Sequence, residues 1–300
     1  RGGDAEGWAR GRSAACRAVA DELGVLGAAF GGVARLDGDV AAGSQDVAST
    51  IFGTAVGADY RVSPDTKFGF ALAGGETSYS LAGAFGSGRS DFFQGALYGK
   101  SYFGTGYIAG AVAGGAQWVD SDRKVILGTS VDALSASYAL PIAAGRLESG
   151  YRFAIAQHGL TPYGAVQAQT AFIPGYTEAV TSGTGATANA VAAYDVPAVR
   201  SELGAWADTR LLTNSNILLR GRAAWVHEFI RDATVSAQFT SLPGLGFALT
   251  GAKLPEDAAL LSGVVEIPIT RALTMTGKFD GEFGNGVATW AGTGKISWIW

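Results

Sequence analysis

The chain has 300 residues, a formal net charge of −4, 16% charged residues and 45 glycines. Charge is well below the roughly 25% of an ordinary soluble domain, and glycine is about twice its usual share. The negative balance excludes a general affinity for nucleic acid, and a lone cysteine, Cys16, can neither close an internal disulfide nor hold a metal cluster.

The stretch from Asp4 to Leu23 reads as a helix, rich in Ala, Arg and Glu and free of proline, although Gly7 and Gly11 weaken it. Arg10, Arg12, Arg17, Asp21 and Glu22 lie all round such a helix, which suits a polar, enclosed place or solvent. The chain opens without an initiator methionine or an apolar leader. This leads us to expect a longer, exported protein whose signal peptide lay upstream.

From Val25 the apolar period changes to two, the period of a strand. In "LGAAFGGVARL", Leu26, Ala28, Phe30, Ala34 and Leu36 share a face. In "RLESGYRFAIA", Leu147, Tyr151, Phe153 and Ile155 oppose Arg146, Glu148 and Arg152. In "RSELGAWAD", Arg200, Glu202 and Asp208 oppose Val199, Leu203, Ala205 and Ala207. The charge-free run from Ser101 to Val119 is long enough to cross a bilayer as a helix. Its glycines and the central "FGTGY" make it two strands and a tight turn instead.

Twelve segments follow this pattern: Val25–Leu36, Val47–Arg61, Lys67–Ser78, Asp91–Phe103, Tyr107–Val119, Leu134–Ala156, Thr161–Phe172, Ala198–Leu211, Asn216–Ile230, Ala259–Ile269, Ala272–Glu282 and Val287–Trp300. The sixth is long and contains Pro141, which predicts a bend or a protruding hairpin arm. Short connections ("VSPD", "GTG", "QHGL", "LTNS", "TR") alternate with mostly long ones, including those from Pro174 to Pro197 and from Arg231 to Asp257. Alternation alone fits a soluble sandwich as well as a membrane barrel. Short turns on one rim and long loops on the other, with an even strand number that closes the sheet, point to an outer-membrane barrel. The end of the chain agrees. Ile296, Trp298 and Trp300 share the lipid side of a last strand that would aggregate if left as an open edge in water.

The motifs of chemistry are missing. There is no HExxH, CxxC, GxSxG or phosphate-binding loop, and the two histidines, His158 and His227, are far apart in sequence. No cofactor is implied. "GSGRSD" and "GNG" read as barrel turns.

Several stretches, in this order and spacing, resemble the C-terminal translocator domain of autotransporters of the type V secretion family. They are "VGADYRVSPDTKFGFALAGG" (Val56–Gly75), "GSGRSDFFQGALYGKSYFG" (Gly86–Gly104), "ESGYRF" (Glu148–Phe153), "TPYGAVQAQ" (Thr161–Gln169), "RSELGAWAD" (Arg200–Asp208), "AAWVHEF" (Ala223–Phe229), "KFDGEFG" (Lys278–Gly284) and the aromatic terminus. The resemblance implies an all-β membrane protein, a 12-stranded antiparallel transmembrane barrel over residues 25–300, with residues 1–24 as a linker helix threading the pore. It implies export and surface anchoring of an N-terminal passenger, with no enzymatic activity. The implied partners are outer-membrane lipid, the passenger, the barrel-assembly machinery and periplasmic chaperones, around a monomer in the bacterial outer membrane. Both ends of the barrel would then lie on the periplasmic side and the passenger at the cell surface.

It further implies that Ile296, Trp298 and Trp300 form an assembly signal, Trp standing where most relatives end in Phe. Some relatives cut the passenger inside the pore with a helix asparagine, and this chain has none before Asn189. The charged residues Arg146, Glu148, Arg152, Arg200, Glu202, Arg222, Glu228 and Glu266 are therefore expected to line the lumen as ion pairs rather than to do chemistry. A free-standing pore or barrel enzyme is the alternative.

Overall fold

The computed structural model describes residues 23–38, 44–156, 158–211, 216–229, 234–242, 244, 246–250 and 255–299. The expected helix of residues 1–24 lies outside the described residues apart from its last two, which already belong to a strand, and Cys16 and Trp300 lie outside them too. Twelve long strands among the described residues close one antiparallel ring. They are β1 (Leu23–Leu36), β2 (Val47–Ser63), β3 (Thr66–Leu81), β4 (Gly86–Phe103), β5 (Gly106–Leu127), β6 (Ser130–Tyr151), β7 (His158–Ile173), β8 (Tyr194–Arg210), β9 (Leu218–Glu228), β10 (Asp257–Pro268), β11 (Leu273–Gly284) and β12 (Val287–Ile299). Each pairs with its neighbours in sequence, and β1 pairs with β12 from Gly24↔Ile299 to Leu36↔Val287. Closure leaves no free edge, which is what allows a sheet to stand in lipid.

The outer face is apolar and the inner face is not. On β4 and β5 the exposed outer row includes Phe93, Leu97, Phe103, Ile108, Val112 and Trp118. Ile108 and Trp118 bracket a segment of the length a tilted strand needs to cross a bilayer, about 9–11 residues. Aromatics mark both ends of the band. Phe52, Phe93, Trp118, Trp225 and Trp290 stand at one level; Tyr60, Phe68, Phe103, Tyr151 and Trp298 stand at the other. Such girdles sit where hydrocarbon meets headgroups.

The structure settles three points that the sequence left open. In β1 the apolar row Leu26–Ala28–Phe30–Ala34–Leu36 faces inward, and Val25 and Val33 face out. The register decides this, because Val25 and Val33 lie opposite Trp298 and Trp290 on the outer face of β12. A slip of one residue would reverse every side chain. Phe30 thus meets Phe92 of β4 across the inner wall, ring centroids 6.3 Å apart. The sixth segment is an arm rather than a bend: β5 and β6 run for 22 residues each, rising well past the girdle, and their register is unbroken through Pro141. Beyond Tyr151 the same register continues in a short piece, Phe153–Ile155, and Ala156 turns the chain at φ 51°. Third, the two longest connections carry strands of their own. Ala179–Ser182 adds to the top of β6, while Tyr176–Thr177, Asn189–Val191, Thr234–Phe239 and Gly246–Thr250 form a separate small sheet above the same rim.

This upper structure is fastened by a buried acid. The Asp132 carboxylate accepts hydrogen bonds from the backbone amides of Thr184 (2.7 Å), Gly185 (3.0 Å) and Thr187 (3.0 Å) and from the hydroxyls of Thr184 and Thr187. The Thr187 hydroxyl and amide, with the other loop amides, hold its pKa well below the usual carboxylate range. A depressed acid contributes stability above its unfolded pKa, about 3.9, and loses it only as pH falls through the lower folded value. Acidifying to pH 5 is therefore expected to leave residues 174–193 as resistant to surface protease as at pH 7.

Candidate functional site: the charged inner wall

Charged side chains inside the barrel gather on one wall, contributed mainly by β6 and β8 to β11. Alternation places them there: each stands at every second position of its strand, opposite an exposed apolar residue such as Leu147 or Leu203. Glu202 is the hub and is only 2% exposed. Arg146 Nη1 and Nη2 donate to its two oxygens at 2.6 and 2.9 Å. Arg200 Nη2 donates at 3.3 Å, Tyr163 Oη at 3.2 Å, and Arg222 Nη1 stands 3.8 Å away. A carboxylate held by two nitrogens of one guanidinium is fixed in orientation as well as neutralised.

The network extends from this hub in both directions. Arg146 also donates to Glu148 (2.8 Å), which accepts from Tyr107 Oη (2.7 Å). Arg200 reaches Glu282 on β11 (3.2 Å) and Glu228 on β9 (3.7 Å). Arg222 donates to Ser262 (2.9 Å) and pairs with Asp280 (3.1 Å), which also meets Lys278 (2.8 Å). Four cations thus face five carboxylates around a cavity of about 400 Å³ that Arg146, Glu202, Arg222, Lys278 and Glu282 help to line. Trp206 adds an aromatic face, with the Arg220 and Arg222 guanidinium carbons each 4.9 Å from its ring centre.

Of the eight charged residues singled out from the sequence, the structure brings Arg146, Glu148, Arg200, Glu202, Arg222 and Glu228 into this one network. Two stand apart. Arg152, just past β6, pairs with Asp208 toward the rim of short turns, and Glu266 pairs with Arg220 at 3.8 Å. The singled-out set omitted Tyr107, Tyr163, Ser262, Lys278 and Asp280. Lys278 and Asp280 had a usable signal, charges that with Glu282 fall at every second position of "KFDGEF". The tyrosines and Ser262 had none, because a neutral hydroxyl on an inner face looks like any other strand residue.

Every carboxylate in the network has a cation or a hydroxyl donor, and none faces an activated nucleophile. Among the described residues no group of three or more His, Cys, Asp or Glu side chains could hold a metal ion. His227 lies on the outer face of β9, its Nδ1 3.0 Å from Asp257, beside Trp225 and Phe229. The terminal strand places Ile296 and Trp298 on the outer face, about half exposed, opposite Gly27 and Val25 of β1.

A family model described as the autotransporter beta-domain matches residues 25–280. The translocator domain of autotransporter NalP from Neisseria meningitidis superposes with a TM-score of 0.73 at 12% identity, covering 98% of this chain and 96% of that one. The beta domain of the Bordetella autotransporter BrkA gives 0.68 at 14% identity over 93% and 100%. The transport unit of AIDA-I from Escherichia coli gives 0.56 at 13% identity over 97% and 98%. At such identities the likeness is one of fold. No curated protein sequence matches the chain.

Proposed function

The chain belongs to the autotransporter β-domain family and is an outer-membrane translocator for a passenger, and we propose how its parts share that work. The passenger precedes residue 1, and residues 1–24 thread the pore as a helix once export has ended. The rim of short turns, where β1 begins and β12 ends, faces the periplasm; the rim with the long connections faces outward. The charged network is a scaffold: it keeps one wall rigid and polar, and its carboxylates are paired rather than poised for reaction. The barrel works as a monomer in outer-membrane lipid. It reaches the membrane through periplasmic chaperones and the barrel-assembly machinery, which reads Ile296, Trp298 and Trp300.

The observation that carries this reading is the closed ring with its girdled apolar band, matched by the family over 25–280. A free-standing diffusion pore is the alternative, and one experiment separates them. A protease-sensitive reporter placed before Arg1 is expected to become accessible on intact cells. With Ile296→Asn and Trp298→Asn together, two polar amides enter the lipid row at a few kcal/mol each. Reporter and heat-modifiable barrel should then both fall to near background. A barrel that assembles normally with a reporter that stays inside would overturn the translocator reading. Normal assembly of the double variant would remove the signal assigned to the last strand.

A further inference from the structure

The arm formed by β5 and β6 is covered on its inner side and bare on its outer side. Asp132, Leu134 and Ala136 point inward and are 3%, 1% and 7% exposed; Ile126 and Val131 point outward and are 59% and 49% exposed. The cover is the connection of residues 174–193. Apart from the pairing of Ala179–Ser182 along the edge of β6, the anchors that tie it to the arm are inward-facing side chains. Asp132 takes the amides of Thr184, Gly185 and Thr187, as described above. Arg123 of β5 clasps Glu178 with two nitrogens, at 2.8 and 2.6 Å, and donates to the Thr187 carbonyl at 3.0 Å. Tyr138 of β6 stacks on Tyr176, centroids 4.6 Å apart and planes within 12°. A segment fastened to the inner side of a wall that rises above the rim leans over the opening, not away from it.

Strands on either side of the arm contribute too. Tyr79 of β3 and Tyr194 of β8 lie close to this stack. Burial raises the pKa of Tyr79, Tyr138, Tyr176 and Tyr194, and for Tyr79, Tyr176 and Tyr194 neighbouring phenols push the same way. From above, the second long connection bolts the cover down. The Thr240 amide donates to the Ala188 carbonyl (2.8 Å), and the Ser241 hydroxyl to the Ala186 carbonyl (2.9 Å). Ala188 is left 1% exposed.

We propose that residues 174–193 are a lid across the mouth of the barrel, clasped by Asp132 and Arg123 and seated on Tyr79, Tyr138, Tyr176 and Tyr194, which closes the pore from outside whatever lies within it. The proposal rests on the translocator reading only for which rim faces outward. Closure is reversible in kind, since charged hydrogen bonds and ring stacking hold it and no covalent bond does.

The test uses intact cells making the full chain with its passenger. Cys16→Ser removes the native thiol, and Gln117→Cys places a reporter on the inner face of β5, opposite Leu140 and below the lid. A bulky, membrane-impermeant maleimide is added outside. Labelling is expected to be slow with the lid intact. With Asp132→Ala and Arg123→Ala it should be roughly tenfold faster, because losing charged, part-buried anchors shifts a local opening equilibrium by at least that much. Tyr176→Ala, which leaves both anchors in place, should give an intermediate rate. It also decides the matter alone should the double variant fail to assemble. Equal labelling in the parent and in every variant that assembles overturns the lid. Passenger display is scored on the same cells: lid-dependent labelling without display would sink the translocator reading and leave the lid standing.

Discussion

Glu202→Ala is expected to destabilise the folded barrel by about 3 kcal/mol, the lower end of the cost of breaking a buried ion pair from one side. The reason is what remains. Arg146, Arg200 and Arg222 converge on this carboxylate. Without it, Arg146 keeps Glu148, Arg200 keeps Glu282 and Glu228, and Arg222 keeps Asp280, but the convergence becomes three like charges around an empty place. These guanidiniums are 10–27% exposed, so pore water relieves part of the repulsion and favours the lower figure. Glu202→Gln keeps an acceptor for one arginine and should cost less. Arg152→Ala removes a pair whose cation is 49% exposed, where the typical value is below about 1 kcal/mol. The measurement is the temperature at which the folded, fast-migrating band is lost on unboiled gels. The order Glu202→Ala, then Glu202→Gln, then Arg152→Ala is expected. If Glu202→Ala melts with the parent, the network is ornament rather than scaffold.

That wall shows what a sequence of this kind discloses. The strand number and the alternation of connections were legible because each of the twelve strands buries one face and leaves the other in a different solvent, so period two is imposed everywhere. Charge told the inner face in β6 and β8, where Arg146, Glu148, Arg200 and Glu202 cannot face lipid. In β1 it could not, since both rows are apolar or small and the only outward charge, Arg35, sits beyond the girdle; there the neighbour β12 decides. Partners were illegible for a different reason. Arg200 meets Glu282 across the intervening β9 and β10, a contact set by curvature and shear that no local pattern encodes. The lid was hidden for the same reason. Residues 174–193 are Gly-, Thr- and Ala-rich and read as a loose loop, and partners from elsewhere in the chain, Asp132, Arg123 and Tyr138 among them, give them a shape.

A passenger closed into a loop by an engineered disulfide is expected to stop at the barrel while oxidised and to reach the surface when reductant is present during export. The argument is one of width. An eight-stranded barrel is just filled by its side chains, whereas sixteen to eighteen strands leave an aqueous channel. Twelve strands leave an intermediate space, about enough for a helix with its side chains, roughly 10–12 Å across, or for one or two extended chains. This barrel gives up part of that space, because the network fills the side of β6 and β8 to β11. On the opposite inner wall stand Ala55, Gly57, Ala71, Ala73 and Ala96, short side chains between the Phe30–Phe92 pair and Tyr98 that leave room for an unfolded strand. A cross-linked loop doubles the chain and adds the width of its side chains, and a folded domain exceeds the opening outright. The loop should be long, because the small hairpin of a short one could still pass. Protease added to intact cells reads the outcome: the oxidised passenger protected, the reduced one cut, with barrel levels equal in both. Efficient display of the oxidised passenger would show that the opening during export is wider than the closed ring allows, and that the chain does not carry its passenger through this barrel alone.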